Sequence, residues 1–192
     1  MKLFGIGKRV LPPSSQTICG QNDGVREARS WYVDGTYVKV QGKWCYLYRA
    51  IDQDGNLVDS RLSEKRDMDA AKQFFKQALG ICGHAPEHIT TDGHRSYPRA
   101  IHETIGNEVA HLTNTYLNNR IEQDHRSIKQ RYYPMLGIGN FMSATSFCLT
   151  CDELHHYVRP RSMMGETVSL AQQRWIFCER FVALHVLMEA VS

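Results

Sequence analysis

The run WYVDGTYVKVQGKWCYLYRAIDQDGNLVD, Trp31 to Asp59, decides how this chain folds. Trp31 to Val40 is rich in Tyr, Val and Thr, whose branched or aromatic side chains suit a pleated surface, so a strand is expected. Gly42 breaks the chain before a second such run, Trp44 to Ile51. Asp54-Gly55 is a hairpin turn signal, and Asn56 to Leu62 supplies a third strand. Three consecutive antiparallel strands follow from this spacing.

Beyond them the period changes. Asp67 can cap a helix whose apolar stripe is Ala70, Ala71, Phe74, Phe75, Ala78 and Leu79, with Gly80 closing its end. After Pro86, His88 to Thr91 reads as a short strand that stops at Asp92-Gly93. A helix from Ser96 or Pro98 to about Ile105 follows, then a short apolar segment from Glu108 to Leu112. A helix from about Leu117 to Arg131 carries the stripe Leu117, Ile121, Ile128 and Tyr132. The helix after the third strand allows a right-handed crossover to a parallel fourth. The expected class is therefore α/β, with a mixed sheet of three antiparallel and then parallel strands flanked by helices, the element order of a ribonuclease-H-like domain. Residues 1–29 show no sustained period and read as a poorly ordered segment. Residues 30–160 form the main domain, and 161–192 a helical extension.

Length and composition fit one well-buried domain. The 192 residues, 42% hydrophobic and 22% charged, describe an ordinary globular chain, and the net charge of +3 permits polyanion binding without demanding it. No apolar run approaches the roughly 20 residues a membrane span needs. Lys8 and Arg9 cut the first hydrophobes too early for a signal peptide, so the cytosol is the default. Six cysteines in a chain this size do not resemble a secreted disulfide framework. Cys148 and Cys151, with His155 and His156 after them, have zinc-like spacing. They lie in a helical run from Phe147 to Tyr157, however, where cysteine usually serves as a small buried hydrophobe.

Charge is concentrated in one place. Between Arg120 and Arg131 four Lys/Arg face two acids, so Arg120, His125, Arg126, Lys129 and Arg131 are candidates for contacts to DNA phosphates. The same helix carries Glu122. Asp34 lies within an apolar strand, where a carboxylate needs a partner or a metal. Asp92 falls at the carboxyl end of a parallel strand, where open α/β sheets place their ligands. Three carboxylates from separate elements suit magnesium, a hard ion that takes oxygen ligands, and two such ions about 4 Å apart stabilise both oxygens of an in-line displacement. Asp52 and Asp54 flank a turn, Asp59 is expected to point out of the sheet, and Asp124 to sit nearly opposite Glu122, solvated or salt-bridged.

The segments WYVDGTYVKVQGKWCYLYRAIDQDGNLVD, LSEKRDMDAAKQFF, ITTDGHRSYPRAI and YLNNRIEQDHRSIKQR, in that order, resemble the Asp-Asp-Glu (DDE) transposases of bacterial insertion sequences, above all the insertion-sequence-six family. The likeness runs from about Trp31 to Arg161. It implies an integrase-like ribonuclease-H fold, Mg2+-dependent cleavage at transposon ends (with Mn2+ able to substitute), and joining of the freed 3′-hydroxyl to target DNA. It also implies a homo-oligomer on DNA, a cytoplasmic and nucleoid-associated location, and a catalytic, metal-binding triad of Asp34, Asp92 and Glu122. Two rivals use the same residues: a nuclease that hydrolyses without joining, and an inactive DNA-binding remnant. Two departures stand out. Gly35 follows the first aspartate where the family commonly has Glu, and 29 residues separate Asp92 from Glu122, a few fewer than usual. Family members also usually carry a helical DNA-recognition segment ahead of the catalytic domain. Residues 1–29 do not resemble one, so an N-terminally truncated copy is expected. The final segment from Ser169 repeats Leu170, Phe177, Leu184 and Val191 at sevens, a pattern for core or helix-pair packing.

Overall fold

The computed structural model describes residues 29–113, 119–158 and 168–190; the readings made for residues 1–28 and for Leu117 lie outside them. The three expected strands form a meander: β1 (Ser30–Val40), β2 (Lys43–Ile51) and β3 (Leu57–Ser63), each antiparallel to the next. Gln41 and Gly42, both at positive φ, make the tight first turn. Asp52 organises the second by accepting the backbone N–H groups of Asp54 and Asn56.

Helix α1 (Met68–Cys82) starts where the sequence says, with Asp67 accepting the Ala70 N–H at 2.9 Å. It does not stop at Gly80. The buried stripe continues to Cys82, and the αL position that ends the helix is Gly83, at φ 74°. Strand β4 (His88–Thr91) then pairs parallel to β1, helix α2 (Ser96–Thr104) follows, and β5 (Ala110–Thr113) pairs parallel to β4. The sheet order is β3-β2-β1-β4-β5, so β1 is central. Helices α3 (Asn119–Tyr132), α4 (Phe141–Val158) and α5 (Leu170–Glu189) complete the described chain.

Alternation along β1 sorts the two layers. Trp31 and Val33 face α1 and α2, in a core with Tyr48, Phe74, Phe75 and Tyr97. Val38 and Val40 face the other way, against Ile128 and Tyr132 of α3 and Ala144 and Cys148 of α4. Cys148 and Cys151 are buried in this second layer, as small hydrophobes are, and burial pushes the Cys148 thiol up to about 12. The heptad pattern of α5 does not mark core: none of the residues of α5 is buried, and Trp175, Phe177 and Phe181 are exposed. Among the described residues no helix is long and apolar enough to cross a membrane.

Asp59 is the clearest reversal at the sheet. Instead of pointing to solvent it is buried, accepting the Ser60 N–H at 2.8 Å and the Gln77 side-chain amide at 3.1 Å. Burial raises its carboxyl to about 6, with those two hydrogen bonds opposing the shift. A raised acid contributes stability that is fully present below the unfolded-state pKa and is lost as pH rises through the folded one. We therefore expect Asp59→Asn to melt with the wild type near pH 4 and above it at pH 8, by on the order of 2 kcal/mol. Thermal melts across that range check it, and a constant offset between the two proteins would refute the titration.

Candidate active site

The last rung of parallel pairing between β1 and β4 joins Val33 to Thr91, which puts Asp34 and Asp92 side by side at the next level. Their placement is a matter of register. Asp92 follows the end of β4, and Gly93 at φ 83° turns the chain away, with the Asp92 carboxylate accepting the His94 N–H at 3.0 Å. A Cβ on Gly93 would stand 2.7 Å from Thr113 Cγ2, so this turn requires glycine. Asp34 accepts the Gly35 N–H at 2.7 Å. Burial raises its acid to about 6; the Gly35 N–H opposes this, and the neighbouring Asp92 carboxylate adds to it. A desolvated carboxylate pair of this kind favours a proton or a cation between its members.

In this structure a guanidinium meets one side of that demand. Arg66, in the loop before α1, donates from one NH2 nitrogen to Asp92 Oδ2 at 2.9 Å and from the other to the Tyr37 hydroxyl at 3.1 Å. The sequence motif containing Arg66 was legible, but its approach to Asp92 was not, because 26 positions separate them.

Helix α3 brings the remaining candidates. Ile121, His125, Ile128 and Tyr132 form its buried face. At about 100° per residue, Glu122, Arg126 and Lys129 line one flank of that face and Asp124 and Arg131 the other. Glu122 is exposed on the first turn, three positions before His125. Among the described residues no three His, Cys, Asp or Glu side chains group closely enough to hold a metal ion. The structure thus joins Asp34 to Asp92 and leaves Glu122 at the rim. The side chain of Arg120 lies outside the described residues.

His125 differs from its expected role as a phosphate-facing cation. It is 4% exposed, with Nδ1 3.6 Å from Asp34 Oδ2, and burial lowers its pKa to about 3, aided by the charge of Arg49. A neutral ring against Asp34 is a wall of the site. Arg131 also turns away from Glu122: it donates to the Ser127 carbonyl and lines a cavity of about 510 Å³ between α3, α4 and α5.

Of the two expectations for Asp124, the structure has the salt bridge. Arg49, directly opposite Asp34 in the β1–β2 pairing, donates from Nε to Asp124 at 2.6 Å and from NH1 to Asp152 of α4 at 2.5 Å. Asp152 also accepts the Ser60 hydroxyl at 2.5 Å. One guanidinium, 2% exposed, therefore ties β2 to two helices. The two-residue turn at Gln41-Gly42 fixes the register, so the facing of Arg49 and Asp34 was recoverable from sequence by counting outward. The ion pairs, to residues 75 and 103 positions away, were not.

Breaking a buried ion pair leaves an unpaired charge and costs more than the pair contributes. Arg49→Met, which strands two carboxylates, should destabilise by about 3–5 kcal/mol. Asp124→Ala, which leaves Arg49 its Asp152 partner, should cost about 2–3 kcal/mol. Denaturant melts test the ranking, and equal or negligible losses would show that the network is not structural.

A family profile described as DDE domain matches residues 28–160. The architecture is that of retroviral integrase catalytic cores, which is ribonuclease-H-like. It overlays a chain of a simian T-cell lymphotropic virus intasome with TM-score 0.53 and 14% identity, over 85% of this chain and 59% of that one. It overlays the HTLV-2 integrase catalytic core solved with magnesium, dimeric form, with TM-score 0.52 and 18% identity, over 76% and 95%. The chain belongs to the DDE-domain family of transposases, of the insertion-sequence-six type. It is 43% identical over 105 residues to the Staphylococcus aureus transposases for insertion sequence-like element IS431mec and for element IS257 in transposon Tn4003. That match covers 53% of this chain and 46% of either relative, so the chain spans about half the length of the curated relatives it matches.

Proposed function

We propose that this chain supplies the catalytic part of a transposase that cuts transposon ends and joins the freed 3′-hydroxyl to target DNA. The observation that carries the reading is the adjacency of Asp34 and Asp92 just past the last parallel rung between β1 and β4 in a DDE-family fold. Their oxygens, desolvated and mutually repelling, are a donor set for Mg2+, which needs only one or two carboxylates together with phosphate oxygens and water; Mn2+ would suit the same donors. Glu122, on the first turn of α3, is the third donor in this reading. When bound, paired divalent ions supply charge stabilisation for the attacking and leaving oxygens.

The rest falls to the chain itself. Asp34, in the central strand, and Asp92 beside it would hold the divalent ions. His125, neutral and buried, excludes water behind Asp34. Arg126 and Lys129, on the flank of α3 that carries Glu122, hold phosphates. The polymer is DNA, handled by an oligomer in the cytoplasm at the nucleoid.

Asp34→Asn, Asp92→Asn and Glu122→Gln should each abolish magnesium-dependent cleavage and joining, while apo Asp34→Asn melts no lower than wild type, because its repulsion with Asp92 is relieved, and exposed Glu122→Gln melts with the wild type. Cleavage and strand-transfer assays paired with melts in chelator decide this, and normal cutting by Glu122→Gln would remove that residue from the site.

The phosphate contacts have their own signature. Replacing Arg126 and Lys129 together with Ala should weaken binding about equally for all sequences and flatten the salt dependence by roughly one unit of slope per contact. An unchanged slope in a salt series would return both to the role of solvated surface.

A further inference from the structure

The face of the β1–β2 hairpin that continues past α1 and α2 carries an aromatic cluster: Tyr46 packs, partly buried, against the α1 and α2 core, and Tyr37 and Trp44 are exposed beyond it. Tyr37 and Tyr46 stand directly opposite each other in the pairing, as do Lys39 and Trp44. Trp44 is 57% exposed and Tyr37 45%, costly areas to leave wet beside an already buried core. Their rings meet edge to face, 6.2 Å apart at 81°, and Tyr37 also packs against Tyr46 with ring centroids 5.1 Å apart. Cations are interleaved with them: the Lys39 ammonium lies 5.8 Å from the Trp44 ring centre and the Arg66 guanidinium 5.9 Å from that of Tyr37. From Thr36 to Tyr46 the chain holds two lysines and no acid.

Arg66 joins this patch to the carboxylates. One end of its guanidinium holds the Tyr37 hydroxyl and the other holds Asp92. A polyanion with a phosphate at the carboxylate pair therefore meets the aromatic rings next, along a path of positive charge. A largely exposed indole among cations matches nucleotide bases that are out of the helical stack, since a base inside duplex DNA has no free face to offer. An apolar protein partner would bring no charge to Lys39 and Lys43.

We propose that Tyr37, Trp44 and Tyr46, with Lys39 and Arg66 beside them, form a stacking platform for unpaired DNA nucleotides next to the strand cut at Asp34 and Asp92. The proposal rests on the reading of that pair as a DNA-processing site and adds a single-strand specificity to it. It also assigns Arg66 two positions, on Asp92 without DNA and on a phosphate with it.

The test measures binding of the full chain, in chelator so that no cutting occurs, to a short single-stranded oligonucleotide and to a blunt duplex of the same sequence. Trp44→Ala should weaken single-strand binding by roughly 5- to 100-fold, the range for loss of a stacking aromatic, and leave the duplex within about twofold. Trp44→Phe should restore most of the single-strand affinity. Trp44 is exposed, and matching melting curves for the variants confirm that the fold is unchanged. Equal losses on both DNA forms, or none on either, would overturn the platform while leaving the transposase reading intact. A change in sedimentation with unaltered DNA binding would overturn it in favour of a protein interface. If the wild-type chain binds neither form, the transposase reading itself fails and takes the platform with it.

Discussion

The buried guanidinium of Arg49 sets the geometry on which the active-site face of this molecule depends. Apolar contacts such as those of Ile121 and Ile128 hold α3 against the sheet but have no direction, and they would allow the helix to rotate or slide. The Arg49–Asp124 bond is directional and short, and its second arm fixes α4 through Asp152 in the same stroke. A buried ion pair is a poor source of net stability. Its value here is orientation: with Asp124 held on one flank of α3, Glu122 is turned to the other. At the far end of the helix the Tyr132 hydroxyl, bonded to the backbone N–H of Lys39 at 2.6 Å, adds a second fixed point.

The sheet separates two kinds of interior. On the α1 and α2 side the core is dominated by packed rings, Tyr48 against Phe74 at 5.7 Å and Phe75 against Tyr97 at 6.1 Å. On the α3 and α4 side polar groups penetrate the layer, and Arg49, Asp152, Ser60 and His125 are all buried there. Asp34 belongs to this second side, and burial there leads the causes of its raised pKa. Gly35, the departure from the usual residue after the first aspartate, faces the ring layer instead. A Cβ there would meet the Tyr97 hydroxyl at 3.5 Å, ordinary contact, so the glycine reflects neither strain nor crowding.

Local chemistry was legible in the sequence and distant pairing was not. The strands, the Asp67 cap and the turn at Asp92-Gly93 follow from neighbours within a few positions, and the structure has them where the sequence suggests. Gly80 misled because glycine in a helix costs only about 1 kcal/mol, which the buried stripe through Ala78 and Cys82 can override. Asp59 looked like a surface acid because its partner Gln77 lies 18 positions away, and the expected salt bridge of Asp124 had no named partner because Arg49 lies 75 positions away. His125 falls on the inner face of α3 by simple periodicity with Ile121 and Ile128. The basic company it keeps in sequence concealed that. The apolar repeat of α5 is real as a pattern, yet a periodic stripe does not say what it packs against.

The ways in which Asp34, Asp92 and α3 are located bear on which insertions and deletions the chain can absorb. Asp34 and Asp92 are set by one rung of strand pairing, and adding a single residue within β1 would throw Asp34 to the opposite face of the sheet. Helix α3 is set by a side-chain bond that is indifferent to how many residues intervene. Closing a longer loop costs only about 0.6 kcal/mol for each doubling of its length. Between Asp92 and Glu122, α2 and the pairing of β5 are fixed elements, so a change in length is cheapest in the residues that separate Thr113 from Asn119.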